Sequence, residues 1–241
     1  MSLRVLQTSA ENRAAREEMR RRGISYWPQA LRRRLVDRLL RRPAPAVGDI
    51  NKSWDVLQAV QLIEARLSRD APVLDQGAYA SEILCSLHLL GFTRLHGIDL
   101  NPAVTSMPFA GPIRYRVGDM NAAPYADGSM SAITSISALE HGLALRPLLR
   151  EVARLLAPSG MFIASTDYWP DKIDTSGIRM YGLDWTIFSR AELQSLLNVA
   201  GEFGLVPLGD CSFEARDAAI ECAGRHYTFA WFALQKRGEV D

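Results

Sequence analysis

Short apolar runs separated by polar turns recur through residues 51–236. Five of these runs have the length and composition of buried strands: 73–75, 94–99, 113–117, 131–137 and 161–166. Stretches with helical spacing of apolar residues stand between several of them. Alternating strands and helices favour an α/β fold, so the pattern predicts a doubly wound, mostly parallel sheet of about seven strands.

The helices predicted from this spacing begin after Ser53, at Ala80 and at Ser137. A fourth begins at Ser189, where Glu192 completes a Ser-x-x-Glu capping box. The last two apolar runs, 204–213 and 225–235, predict an antiparallel pair that ends the sheet.

Charge divides the chain of 241 residues into two unequal parts. Residues 1–42 hold twelve arginines and four acidic residues, a local charge of +8, whereas the whole chain carries +1. We therefore expect a basic helical N-terminal arm at 1–50 and a main domain at 51–241, an α-helical extension attached to the sheet. Pro28 to Arg42 has leucines at a spacing of four among arginines, which predicts a basic amphipathic helix.

Three interpretations of this helix stay open. It binds an anionic membrane surface, it binds a phosphate-bearing partner such as nucleic acid or a diphosphate-linked substrate, or it packs its leucines on the main domain and leaves its arginines solvated.

Three cysteines without a Cys-x-x-Cys pair disfavour a disulfide framework or a zinc site. No metal cluster is visible in the sequence. The chain has no apolar run of about 18 residues, so we expect a soluble, cytoplasmic protein without a membrane span. A homodimer is compatible with these features.

Acidic residues end the first two predicted strands, at Asp75 and Asp99, 24 residues apart. That distance fits one strand–helix–strand unit, and Gly77 allows a sharp turn after the first strand. In such a unit the first loop faces a ligand, and the second acid accepts hydrogen bonds from ribose hydroxyl groups.

These residues resemble the class I S-adenosylmethionine-dependent methyltransferases, whose first loop has the form Asp-x-Gly-x-Gly-x-Gly. Asp75 and Gly77 match, whereas Tyr79 and Ser81 replace the second and third glycines. Three interpretations of Tyr79 stay open: its ring stands aside from the cofactor, it fills the cofactor's place, or the alignment is shifted by one residue. The resemblance extends from about Asn51 to Lys236 and implies S-adenosyl-L-methionine as cofactor.

The resemblance also implies where the cofactor binds. Asp75 would act through the loop, Asp99 on the ribose, and Asp119 with Met120 on the adenine. The implied cofactor-binding set is Asp75, Gly77, Ala78, Tyr79, Asp99, Leu100, Asp119, Met120 and Ser137.

Methyl acceptors approach the ends of the fourth and fifth strands in this family. His141 is therefore the first general-base candidate, because an imidazole titrates near neutrality, and Asp167 is the second. Tyr168 and Trp169 are expected to form either a substrate wall or a closed aromatic cluster under the following loop. Residues 171–188 are expected to form an ordered lid that carries Tyr181 and Trp185.

The expected function is methyl transfer, with a hydroxyl oxygen of a small molecule or glycan as the favoured acceptor. The alternatives are a degenerate, non-catalytic S-adenosylmethionine-binding scaffold and an RNA methyltransferase recruited by the basic arm. A short-chain nicotinamide oxidoreductase, which uses a Tyr-x-x-x-Lys pair, is disfavoured in a chain with only three lysines.

Overall fold

A central sheet with helices on both faces forms the framework of the computed structural model, which describes residues 2–26 and 47–238. The basic helix predicted at 28–42 lies outside these residues. The sheet strands are β1 Leu3–Val5, β2 Val73–Gln76, β3 Leu95–Asp99, β4 Ile113–Val117, β5 Met130–Ile136, β6 Leu156–Tyr168, β9 Leu205–Pro207, β10 Ile220–Cys222 and β11 Arg225–Lys236, and a separate hairpin pairs β7 Arg179–Met180 with β8 Leu183–Asp184.

The strand order is β1-β11-β6-β5-β2-β3-β4, and β9 and β10 also pair with β11. Strands β2 to β6 run parallel, whereas β11 is antiparallel to β6. The predicted doubly wound α/β fold is confirmed. The strands beyond the seven expected are β1 and β10, short segments that pair with one edge of β11.

Five α-helices are present in the described part of the chain: α1 Ser9–Arg21, α2 Ser53–Arg66, α3 Ile83–Leu89, α4 Leu145–Leu155 and α5 Arg190–Glu202. The hydrophobic core has two parts, one on each face of the sheet. On one face α1, α2 and α3 share a cluster with Phe229 and Trp231 of β11, and on the other α4 and α5 share one with Phe232. Ser189 and Glu192 form the predicted capping box at α5.

The described residues of the predicted N-terminal arm belong to this core. Leu3 and Met19 are fully buried, and β1 pairs with β11 in the register Arg4↔Trp231. Residues 2–26 therefore do not form an arm apart from the domain. The many charged residues of α1 hid its burial from the sequence analysis. The helix buries only a narrow stripe of residues, and two of these, Asn12 and Arg16, are polar.

Some predicted boundaries were wrong. The helix after β5 begins at Leu145 and not at Ser137, because Ser137 (φ +53°) and Gly142 (φ +64°) have left-handed backbone that a right-handed helix excludes. The helix after β2 begins at Ile83 and not at Ala80. Of the run 204–213, only Leu205–Pro207 pairs as the strand β9.

Gly97 in the middle of β3 offers a test of this packing. A Cβ atom there would lie 2.7 Å from Cδ1 of Tyr115 and 2.9 Å from Cβ of Ala78. We expect Gly97→Ala to lower the free energy of unfolding by about 1–3 kcal/mol, because the methyl group overpacks the site. The measurement is urea denaturation.

Gly201→Ala is the matched control, since Gly201 lies in α5, where an added methyl group would meet nothing within 4 Å. We expect that change to stabilise the protein by roughly 0.5–1 kcal/mol through helix propensity. Equal unfolding midpoints for Gly97→Ala and the unmodified protein would contradict the close packing.

Candidate cofactor and acceptor site

The predicted polar residues meet at one edge of the sheet, where the parallel strands end. Asp75 lies in β2, Asp99 ends β3 and Asp119 follows β4. Ser137 follows β5, and Asp167 lies near the end of β6. Parallel strands of such a sheet place their carboxyl ends together, which is the usual position of a ligand.

The β2–α3 loop, residues 77–82, passes very close to the neighbouring backbone. Gly77 has φ +79°, and a Cβ atom on it would lie 3.0 Å from Cβ of Ala138. The N–H groups of Gly77 and Ala78 donate to the carbonyl of Ile98 at 3.0 and 3.2 Å. A residue with a side chain would therefore be strained at position 77, both by the positive φ and by the contact with Ala138.

Tyr79 is half-buried and packs against a small apolar cluster that includes Tyr26, Val104 and Met107. Its backbone N–H donates to Oδ2 of Asp99 at 3.0 Å. This contact of the ring with the apolar cluster favours the interpretation in which the ring stands aside from the cofactor.

Asp99 is half-buried, and its Oδ1 accepts from the N–H of Asn101 at 2.7 Å. The following residue, Leu100, is 67% exposed and offers an apolar side chain on the same rim. The carboxylate is therefore fixed in orientation by two backbone groups while its outer side stays open to solvent.

Asp119 is exposed at the end of β4, where its Oδ1 accepts from the N–H of Asn121 at 2.8 Å. The carbonyl of Met120 accepts from Nε2 of Gln76 at 3.2 Å. Oδ2 of Asp119 takes part in no such bond among the described residues, so it is available to a ligand amino group.

Asp75 is fully buried behind the loop, and its Oδ1 accepts from the hydroxyl of Thr134 at 2.7 Å. Burial raises the pKa of Asp75 to about 7, with a smaller contribution from the charge of Asp99, while hydroxyl groups of Thr134 and Ser81 oppose the rise. Asp75 therefore supports the loop from within.

A second group of charges lies beside β6. We call Lys52, Asp55, Glu140 and Asp167 the buried charge cluster. Nζ of Lys52 lies 3.2 Å from Oδ1 of Asp167 and 3.3 Å from the ring centroid of Phe229. Burial alone would lower the pKa of Lys52, but the carboxylates of Asp167, Glu140 and Asp55 raise it above its usual value.

Two carboxylates of the cluster have hydrogen-bond donors. Oδ2 of Asp167 accepts from the indole N–H of Trp185 at 2.7 Å, and Oδ2 of Asp55 accepts from the Ser165 hydroxyl at 2.7 Å. Burial raises the pKa of Asp55 to about 6. Since both oxygens of Asp167 are engaged, its geometry suits a structural anion better than a free base.

Glu140 was not singled out from the sequence, although it stands beside His141. Its side chain is 1% exposed, and Oε2 has no hydrogen-bond partner among the described residues. Burial and the nearby charge of Asp167 raise the pKa of Glu140 to about 8, against the effect of Lys52. Near neutrality this side chain is mostly a neutral carboxylic acid.

His141 is half-buried, and its Nδ1 has no hydrogen-bond partner in the described part of the chain. Its ring meets that of Tyr181 edge-on at 5.4 Å between centroids. Burial lowers the pKa of His141, and the charge of Asp167 only partly opposes this. The imidazole is thus held neutral, with a buried nitrogen that has no partner among the described residues.

Aromatic side chains close one side of the cluster. Trp185 is buried with its ring centroid 5.6 Å from that of Tyr227, which lies 6.1 Å from Phe229. The predicted lid at 171–188 contains the β7–β8 hairpin. The two aromatic residues of this segment differ in burial: Trp185 is buried, whereas Tyr181 at the hairpin tip is 92% exposed.

Tyr168 does not form the expected substrate wall. It points to the opposite face of β6 from Asp167, is fully buried, and donates its hydroxyl to the carbonyl of Phe213 at 2.7 Å. It also stands four residues before Lys172, a Tyr-x-x-x-Lys spacing. Lys172 binds Glu192 at 2.9 Å, so the two side chains are held by different partners and do not form a catalytic pair.

The residues at the strand ends are suited to bind a polar ligand. Apart from the close backbone at Gly77, two buried polar atoms there, Oε1 of Gln76 and Oγ of Ser137, have no hydrogen-bond partner among the described residues. Such atoms are costly unless a ligand or water satisfies them. With Asp99 and Asp119 they form a polar row along the ends of β2 to β5.

Comparison with known proteins finds methyltransferases of similar sequence pattern and similar fold. A family model described as "Methyltransferase domain" matches residues 74–164. A search of the curated proteins gives no match. Among solved structures, geranyl diphosphate C-methyltransferase from Streptomyces coelicolor A3(2), in complex with Mg2+, geranyl diphosphate and S-adenosyl-L-homocysteine, is 16% identical with a TM-score of 0.56, over 79% of this chain and 88% of that one.

Two further solved structures have the same fold. One is the 1,6-didemethyltoxoflavin-N1-methyltransferase of Burkholderia thailandensis, at 19% identity, a TM-score of 0.54, and coverage of 76% of this chain and 78% of that one. The other is an S-adenosylmethionine-dependent methyltransferase from Mesorhizobium loti, at 17% identity, a TM-score of 0.52, and coverage of 76% and 97%.

Residues 74–164 therefore match a methyltransferase domain, within a fold that S-adenosylmethionine-dependent methyltransferases share. The methyltransferases of that family use S-adenosyl-L-methionine as their cofactor.

Two absences concern the described residues alone. Between 2–26 and 47–238, no helix has the length and hydropathy that a membrane crossing needs. Within the same ranges, no three His, Cys, Asp or Glu side chains are arranged to hold a metal ion.

Glu140 makes the stability of the folded protein depend on pH. Its pKa rises from an ordinary 4.5 to about 8 on folding, so the folded protein keeps a proton that the unfolded chain releases. Its contribution to stability is therefore full below about pH 4.5 and is lost as the pH rises toward 8. We expect Glu140→Gln to reduce the slope of unfolding free energy against pH by roughly 1.4 kcal/mol per unit within this window.

Urea denaturation at half-unit pH steps measures this slope. Glu202→Gln is the control, since Glu202 lies on the surface in an ion pair with Arg146 that lowers its pKa, and it should leave the slope between pH 6 and 8 unchanged. Parallel pH profiles for Glu140→Gln and the unmodified protein would show that Glu140 is already ionised at neutral pH.

Proposed function

We propose that this methyltransferase transfers a methyl group to a hydroxyl oxygen of a small molecule or glycan that binds between His141 and the buried charge cluster. The observation that carries the proposal is the unpartnered Nδ1 of His141, among the described residues, on an imidazole whose pKa is lowered by burial. A neutral imidazole beside the end of β5 is suited to accept the proton that a hydroxyl group loses on methylation.

The proposed cofactor site is the row of strand ends described above. Asp99 would accept from the ribose, Asp119 and the backbone of Met120 would bind adenine, and Leu100 would cover it. The loop backbone of Gly77, Ala78 and Tyr79 would line one side of the cofactor site. Ser137 would line the opposite side. Asp75 would act indirectly, by supporting the loop beneath the cofactor, because its carboxylate is buried and bonded to Thr134.

The cofactor supplies an already activated methyl group, so the protein's contribution is mainly positioning and exclusion of water. The buried charge cluster fits that role. Lys52 and Trp185 hold Asp167 in place, and the protonated carboxyl of Glu140 offers a hydrogen-bond donor to an acceptor oxygen. Asp167, our second base candidate from the sequence, would act here by orienting its neighbours.

The neighbouring structures do not decide the methylated atom, since their names include a C- and an N1-methyltransferase. A hydroxyl acceptor is favoured because the site offers one neutral base and one neutral acid. The RNA alternative depends on the basic segment at 28–42, outside the described residues. The scaffold alternative, raised by Tyr79, is tested by turnover. A homodimer stays a prediction.

Asp99→Ala should raise the dissociation constant of S-adenosylhomocysteine at least tenfold, because the ribose loses its acceptor and the N–H of Tyr79 loses its partner. Isothermal titration calorimetry measures it. Asp127→Ala is the control, since Asp127 lies on the surface and pairs with Arg154. An unchanged dissociation constant for Asp99→Ala would remove Asp99 from the cofactor site.

Turnover tests the proposed base. The purified protein is incubated with S-adenosylmethionine and a panel of hydroxyl, amine and carbon acceptors, and S-adenosylhomocysteine release is followed. With an acceptor found, His141→Gln should lower kcat by about 10²-fold or more while the cofactor dissociation constant stays the same. Methylation of amines alone would overturn the hydroxyl assignment.

A further inference from the structure

Arg16 is buried in the middle of α1, a helix that is otherwise rich in solvent-exposed charges. Its side chain is 4% exposed. Nε donates to the Ser53 hydroxyl at 2.8 Å, and one terminal nitrogen donates to the carbonyl of Asp49 at 3.1 Å. The other donates to the Ser25 hydroxyl and to Oε2 of Glu82, both at 2.9 Å. One guanidinium therefore joins α1, the segment at 25–26, the start of α2 and the β2–α3 loop.

Glu82 is the last residue of that loop and is also buried, with 3% of its side chain exposed. Besides Arg16, its Oε1 accepts from the N–H of Tyr26 at 2.6 Å and from the Ser25 hydroxyl at 3.2 Å. A second connection lies two residues earlier, where the carbonyl of Ala80 accepts from the N–H of Gly48 at 3.0 Å. The loop is thus bonded to the N-terminal segments through both side chain and backbone.

The same helix fixes the other half of the site. Oδ1 of Asn12 accepts from the N–H of Trp54 at 2.8 Å, and its Nδ2 donates to the carbonyl of Ile50 at 3.0 Å. These contacts hold the first turn of α2 on either side of Lys52, whose Nζ pairs with Asp167. Displacement of α1 would therefore disturb both the loop and the buried charge cluster.

We infer that Arg16 and Glu82 are positioning residues for the cofactor site, through which the N-terminal helix sets the shape of the β2–α3 loop. The inference rests on the cofactor site proposed above. The loop needs an external restraint, since it holds Gly77 at φ +79° and Ala80 at φ +63°, and an alanine seldom adopts that conformation unaided.

Arginine is required here by geometry as well as charge. Its planar fork serves four separate acceptors in fixed directions, which a lysine ammonium cannot reproduce. Both side chains are buried and bonded to each other, so a change that breaks their hydrogen bonds would let the loop shift until water reaches the freed groups.

The test compares Arg16→Lys and Glu82→Gln with a control that loosens α1 elsewhere. Arg22, which follows the last residue of α1, pairs with Glu64 of α2, so Arg22→Gln weakens the same helix contact away from the loop. Three quantities are measured on each full-length protein: the thermal midpoint, the S-adenosylhomocysteine dissociation constant, and hydrogen–deuterium exchange of peptides that span residues 77–82.

We expect Arg16→Lys to raise the dissociation constant at least tenfold and Glu82→Gln several-fold, with faster exchange in the loop of both. Glu82→Gln is milder because an amide oxygen still accepts from Tyr26. Arg22→Gln should lower the thermal midpoint with an unchanged dissociation constant and an unchanged exchange rate in the loop.

A lower midpoint with unchanged affinity and loop exchange in Arg16→Lys would reduce Arg16 to a structural residue and overturn the inference. If Arg16→Lys does not fold, the near-isosteric Glu82→Gln decides by the same measures. If the unmodified protein does not bind S-adenosylhomocysteine, the proposed cofactor site fails. Exchange in the loop of the unliganded variants then still shows whether Arg16 holds it.

Discussion

The pairing of β2 between β3 and β5 is the constraint on which the site depends. All four residues of Val73–Gln76 are fully buried, and Asp75 lies opposite Gly97 on one side and Thr134 on the other. A shift of this strand by one residue would exchange its two faces and move Asp75 away from Thr134. The absence of a side chain at Gly97 lets Tyr115 and Ala78 close over the strand at that level. The position of the β2–α3 loop follows from this register.

The pKa values at the proposed acceptor end depend on an excess of buried acidic groups over basic ones. Three buried carboxylates face one ammonium group, that of Lys52. Asp167 has Lys52 and Trp185 as donors and Asp55 has Ser165, whereas Oε2 of Glu140 has none among the described residues. A buried carboxylate without a partner takes up a proton, because desolvation penalises the charged form. The cluster therefore contains one carboxyl group, that of Glu140, whose pKa is raised to about 8 and which directly precedes His141 in the chain.

The strand ends were predictable because each depends on a local pattern: an apolar run followed within a few residues by an acid or a glycine. Asp99 and Asp119 were predicted at strand ends in this way, and the structure has them at the ends of β3 and β4. Contacts between distant segments were not predictable, and Lys52 meets Asp167 across 115 positions of sequence. Arg16 was hidden for another reason, since an arginine in a charged helix predicts solvent exposure and its burial requires partners from three other segments. One error was avoidable. Tyr168 and Asp167 were both expected to face the substrate, yet successive side chains of a strand point to opposite faces, so only one of two neighbours inside β6 can do so.

The two halves of the site come from different parts of the chain, and this explains why the cofactor is identifiable and the acceptor is not. The matched methyltransferase domain, 74–164, contains the cofactor-binding positions proposed at Asp75, Asp99 and Asp119. Lys52, Asp167 and Trp185 lie outside it, before its start or after its end. The proposed acceptor end is thus built mostly by flanking segments, which two proteins of one fold need not share. The neighbouring structures, with below 20% identity and names that specify carbon and nitrogen methylation, show that this fold is compatible with different acceptor chemistry. Acceptor specificity must therefore be sought in the residues that surround the buried charge cluster.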